Sequence, residues 1–115
     1  MRLKGIPIAA ADCIVLPSYR EGVSRTLLEA AACGRPIVTT DTPGCRDVVD
    51  DGVTGLLCRV RDAEDLAAKI EQMVSVGAFA REEMGRQGRG KVEREFDEQL
   101  VVKMYLSAIE KVLRA

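Results

Sequence analysis

Asp12-Cys13-Ile14-Val15-Leu16-Pro17-Ser18, a polar loop to Thr26, then Leu27-Leu28-Glu29-Ala30-Ala31-Ala32-Cys33-Gly34-Arg35-Pro36-Ile37-Val38-Thr39-Thr40 is the stretch that decides the fold. Its first apolar run is short and ends at Pro17-Ser18, which predicts a strand buried on both faces of a parallel sheet. From Val23 to Ala32 the composition shifts to strong helix formers, and Gly34 follows as a natural helix C-cap. Ile37-Val38-Thr39-Thr40 is β-branched and too short for a helix, so it reads as a second parallel strand.

Working outward, Thr42-Pro43-Gly44 reads as a loop and Arg46 to Val49 as a brief helical turn. Asp51-Gly52 then turns the chain into a third strand, Thr54 to Cys58. Asp62 is placed to cap a helix whose Leu66, Ala67, Ile70, Met73 and Val74 recur at helical spacing and should face the sheet. Phe79 to Arg94 reads as a charged helix weakened by Gly85, Gly88 and Gly90. From Asp97 to Leu113 a broad apolar stripe, Leu100 to Val101 through Val112 to Leu113, requires a partner surface. The resulting fold class is α/β: a Rossmann-like parallel sheet with flanking helices, one domain over residues 1–115, helical from about residue 62 onward.

Composition narrows the function. Seventeen basic and eighteen acidic residues give a net charge of -1, so no global field draws the chain to nucleic acid. The longest apolar run, Ile6 to Val15, is broken by Pro7 and Asp12 and is too short to span a bilayer. With no signal-peptide pattern either, the expected location is cytoplasmic, or peripheral at the inner membrane in a full-length context. Cys13, Cys33, Cys45 and Cys58 are widely spaced and no histidine accompanies them, so they read as reduced core thiols, with no metal site and no cofactor.

Ligands of open parallel sheets bind where strands end and helices begin, because amides there lack partners and the helix dipole favours anions. Here that place is Ser18 to Thr26, with Glu21 ahead of the helix and Glu29 inside it. A carboxylate accepts several strong hydrogen bonds, which suits vicinal sugar hydroxyls, while the helix start suits a diphosphate. Ser18, Ser24 and Thr26 read equally well as caps or as ligand contacts, and Tyr19 as packing on a base or on protein. Arg20 and Arg25 read as solvated, and Gly34, Gly44, Gly52 and Gly55 as turn and cap residues. Glu29, on a largely apolar helix, needs a hydroxyl or arginine partner if buried.

Ala11-Asp12, Leu16-Pro17-Ser18, Glu21-Gly22, Leu27 to Ala30, and Gly34-Arg35-Pro36-Ile37-Val38 together resemble the donor-site signature of retaining GT-B glycosyltransferases, group 1 or family four. The two glutamates, with seven residues between them, sit inside that signature. Asp51-Gly52-Val53-Thr54-Gly55-Leu56-Leu57 and Asp65-Leu66 are similar to the family's later elements. The resemblance implies that this is the C-terminal, donor-binding domain, with Glu21 as the catalytic residue near the reacting sugar carbon. It implies donor contacts from Gly22, Val23, Ser24, Thr26, Leu27 and Glu29, the last to the ribose hydroxyls. It also implies transfer from a UDP- or GDP-sugar to a glycan or lipid-linked acceptor with retention and no obligatory metal, as in polysaccharide biosynthesis.

In that family a basic pair upstream and an acceptor domain complete the site, so the chain alone is expected to be inactive and its partner is the missing N-terminal half. Ser24 stands where many relatives carry proline or glycine. The uncovered apolar face predicts homo-oligomers. The rival reading is a non-catalytic nucleotide-sugar-binding or interaction module left by truncation. An NAD-type domain is disfavoured because no Gly-x-Gly-x-x-Gly turn follows the first strand.

Overall fold

The computed structural model describes residues 12–17 and 25–114. Within them three parallel strands, β1 (Ile14–Leu16), β2 (Ile37–Thr40) and β3 (Gly55–Cys58), form one sheet in the order β1-β2-β3. Ile14 pairs with Ile37, and Ile37 in turn with Gly55. The helices are α1 (Arg25–Ala32), α2 (Pro43–Val48), α3 (Ala63–Ser75), α4 (Gly77–Glu95) and α5 (Glu98–Arg114). The expected α/β architecture is therefore present, and each apolar run became the element its chemistry favours.

Side-chain alternation along the strands builds a core on each face. Ile14 and Ile37 point to one side, where Leu27, Ala30, Ala31 and Ala32 of α1 meet Cys45, Val48, Val92, Val101 and Met104. Val15, Val38 and Leu56 point to the other, against Met73 of α3. That second layer is thin. The sequence stripe placed Ala67 and Val74 on the sheet, but Val74 is 69% exposed, and Met73 is the one α3 residue fully buried. Similarly Leu113, read as part of the packed stripe of α5, is 81% exposed; the helix buries Val101, Met104 and Ala108 instead. Val102, Leu106 and Leu113 form an outward apolar row.

One local expectation is corrected: Pro43 and Gly44 lie inside α2 rather than in a loop, because proline is compatible with the first turn of a helix, where its missing N–H costs nothing. The glycine-rich segment is a helix as expected, continuous over 19 residues and starting at Gly77. Its glycines mark close approach: Gly85 lies against the backbone of Gly34, and Gly88 against Thr54. Gly34 and Thr54 precede β2 and β3, and Met84 packs on one core while Val92 packs on the other. Helix α4 thus passes beneath the amino ends of the strands, leaving the carboxyl ends for a ligand. Gly34 and Gly52 adopt left-handed φ values of 70° and 79°, as turn residues should; Gly55 instead lies within β3.

Asp62 caps α3 as the sequence indicated. Its Oδ1 accepts the Asp65 N–H at 2.9 Å and its Oδ2 accepts from Arg59 Nε at 3.1 Å. The Asp65 amide, opposed by desolvation and helped by Arg59, holds this carboxyl below its ordinary value of 3.8. A carboxyl whose folded pKa is depressed contributes stability above its unfolded pKa and loses it as pH falls through the folded one. Asp62→Ala should therefore lower Tm at neutral pH, with the gap to the wild type closing below about pH 4. A gap that persists undiminished at about pH 2 would show that the cap's charge is irrelevant.

Candidate functional site

The carboxyl edge of the sheet carries a cavity of about 340 Å³ lined by Pro17, Thr40, Cys58, Arg59, Arg61, Asp62, Ala63 and Leu66. Each strand delivers a residue or its successor to this rim: Pro17 follows β1, Thr40 ends β2 and Cys58 ends β3. Thr39, just before the rim, is fully buried and donates its hydroxyl to Leu16 O at 2.7 Å, tying the ends of β1 and β2 together. Two arginines border the cavity. The Arg59 side chain is held by Asp62, and the Arg59 main-chain N–H donates to Asp65 Oδ2 at 2.7 Å. Arg61 sits between β3 and α3 in a left-handed conformation, φ 56°, the one non-glycine with positive φ among the described residues. Both arginines escaped the sequence reading, for nothing in Cys58-Arg59-Val60-Arg61 separates them from solvated loop residues.

Glu21, Gly22, Val23 and Ser24 lie outside the described residues, as do Ser18, Tyr19 and Arg20. Of the other candidates, Arg25 opens α1 and is exposed, Thr26 is half-buried, and Leu27 is fully buried in the core. The Leu27 side chain is committed to packing, so any contact it makes with a ligand is through the main chain. Glu29 is the informative one. It is 3% exposed, and its Oε1 accepts from Lys111 Nζ of α5 at 2.9 Å. The buried carboxylate thus has the ionic partner its burial demands, but from a lysine 82 positions away instead of the arginine or hydroxyl the sequence suggested.

Around this pair the chemistry is basic and non-nucleophilic. Arg89 donates to Glu93 at 2.7 Å and lies 4.6 Å over the Tyr105 ring. Burial pushes the Cys33 thiol up, and the Glu29 charge adds to it; burial and then Asp65 do the same to Cys58 on the cavity rim. Neither thiol is a thiolate at neutral pH, so neither is an activated nucleophile. No disulfide joins the four cysteines. The cavity offers two arginines to an anionic group, and the Glu29 carboxylate, which is not part of its lining, offers an acceptor on α1. None of the described helices is long and apolar enough to cross a membrane.

Comparison with known proteins agrees with this fold. The sequence model of the family described as Glycosyl transferases group 1 matches residues 7–75. The N-acetyl-alpha-D-glucosaminyl L-malate synthase of Bacillus anthracis is 34% identical over 107 residues, covering 93% of this chain and 28% of that protein. The N,N'-diacetylbacillosaminyl-diphospho-undecaprenol alpha-1,3-N-acetylgalactosaminyltransferase of Campylobacter jejuni is 30% identical over 103 residues, covering 90% of this chain and 27% of its own. Among solved structures, sucrose-phosphate synthase from Thermosynechococcus elongatus superposes with a TM-score of 0.74 at 28% identity, over 94% of this chain and 27% of that one. Anabaena HepE in complex with UDP shares the fold, with a TM-score of 0.72 at 23% identity, over 94% of this chain and 29% of its own. The chain spans about a quarter of the length of the curated relatives it matches.

Proposed function

The chain belongs to the group 1 glycosyl transferases, and from that premise we propose that it binds the nucleotide-sugar donor at the carboxyl edge of its sheet. One observation carries the reading: a carboxylate, Glu29, buried on the first helix after β1, eight positions after Glu21. A buried anion of this kind is maintained at a cost in desolvation, and a vicinal diol that donates to it is a natural return for that cost. In this reading Glu29 accepts the ribose hydroxyls, and Glu21 lies against the transferred sugar near the reacting carbon. Amides from Gly22 to Leu27, at the positive end of the α1 dipole, hold phosphate.

The reaction proposed is retaining transfer from a UDP- or GDP-sugar to a glycan or lipid-linked acceptor in the cytoplasm. It uses an acceptor domain supplied by a second half of the enzyme. Cations must then oppose the charge of the departing diphosphate. The curated relatives support the transferase class, since those named above are glycosyl-transferring enzymes or synthases by name.

The test is calorimetric titration of the chain with UDP, GDP and their common sugar conjugates. Saturable binding is expected, weakened about tenfold or more in Glu29→Gln, because a hydrogen bond to a charged acceptor is being replaced by one to a neutral amide. If neither nucleotide binds, the donor reading fails and the fold serves as a non-catalytic interaction module.

A further inference from the structure

The candidate donor site contains a group that its sequence signature does not include. Lys111 lies near the end of α5, and its Nζ is 2.9 Å from Glu29 Oε1. Its place is set by the core: Ala108 and Met104, one and two turns earlier on the same helix, are 0% and 5% exposed. The two members of the pair are differently exposed, with the Glu29 side chain at 5% and that of Lys111 at 51%. The other cation in this neighbourhood with a defined role, Arg89, is engaged with Glu93 and Tyr105. The Lys111 contact is made to Oε1; a hydroxyl arriving at the carboxylate would meet Oε2.

Resting on the donor reading above, we propose that Lys111 is a positioning residue for nucleotide recognition: its ammonium orients the Glu29 carboxylate so that the remaining oxygen meets the ribose diol. Stability alone does not explain the pair. Desolvation of the Glu29 carboxylate offsets much of its attraction to the half-exposed Lys111, and an apolar pair of similar volume would hold α5 on α1 as well. A charged carboxylate on a nearly closed helix face is useful where something must be bound by it. Lys111 maintains that carboxylate without filling it, since a single ammonium engages one oxygen while an arginine fork would take both.

The experiment titrates the chain and its Lys111→Met, Lys111→Arg and Glu29→Gln variants with whichever of UDP or GDP the wild type binds, and with its 2′,3′-dideoxy analogue, alongside thermal melts. Lys111→Met should lose about tenfold in affinity for the ribonucleotide and less than about twofold for the dideoxy analogue. Lys111→Arg, whose fork would take both carboxylate oxygens, should lose ribonucleotide affinity as well, by about tenfold. Ribonucleotide affinity unchanged or improved in Lys111→Met, or an equal loss for both nucleotides, overturns the assignment, the first two because Lys111 is then structural or a competitor and the last because the damage is global. Glu29→Gln separates the two levels. If it costs tenfold while Lys111→Met costs nothing, the donor reading stands and Lys111 does not position Glu29; if it costs nothing, the donor reading itself fails and this assignment with it.

Discussion

Gly85→Ala destabilises the chain by about 4 kcal/mol or more, a large part of the roughly 5–15 kcal/mol that a domain possesses. A Cβ at this position would lie 1.9 Å from Gly34 O and 2.7 Å from Gly34 C. Neither side can give way cheaply. The Gly34 main chain is held by its N–H to Ala31 O and by Arg35 N–H to Ala30 O, which together close α1, and β2 begins at Ile37. Relief would require α4 to lift off the amino edge of the sheet, taking the fully buried Val92 with it. In an open helix the same substitution would gain about 1 kcal/mol from helix propensity. Gly88→Ala is the control: its Cβ meets Thr54 at an ordinary 3.5 Å, so propensity should prevail there. Denaturant unfolding of both variants decides the matter, and a Gly85→Ala chain as stable as Gly88→Ala would mean that α4 does not cross at Gly34.

Gly55→Ala is expected to detach β3 from β2 at a comparable cost of about 4 kcal/mol. The added Cβ would sit 2.1 Å from Ile37 O and 3.1 Å from Ile37 C and N, inside the main chain of its strand partner. Gly55 O also accepts from Gly52 N at 2.8 Å, and the Leu57 N–H on the same strand donates to Asp51 Oδ1 at 2.9 Å, so the turn and the strand form one unit. Pushing that unit outward displaces Cys58 and Arg59 from the rim of the cavity. Amide exchange should show protection lost first in residues 55–58, with β1 and β2 less affected. Uniform loss across all three strands would instead show that the sheet opens only as a whole.

Both predictions rest on glycines whose purpose the sequence misrepresents. Gly55 reads as a turn residue and Gly85 as a helix weakener, because local propensity records the conformational freedom of glycine and not the backbone that crosses it. The cap at Asp62 was legible, since its partner Asp65 is three residues away. That a buried Glu29 needs a polar partner was legible from its place on an apolar helix; that the partner is Lys111 was not, because no local pattern distinguishes a lysine on α5 that faces a buried carboxylate from one that faces water.

What the sequence by itself determined is the order and kind of the elements: short β-branched or aliphatic runs bounded by proline and glycine made the strands, strong helix formers made α1, and apolar periodicity made α3 and α5. Those signals act within a few residues, where sterics and the helical and strand repeats operate. Only the tertiary structure decided that α4 closes the amino edge through Gly85, that α3 covers its face thinly, and that Glu29 is answered from α5. Each of these is a contact between distant segments, and its energy depends on shapes that exist only after the chain has packed.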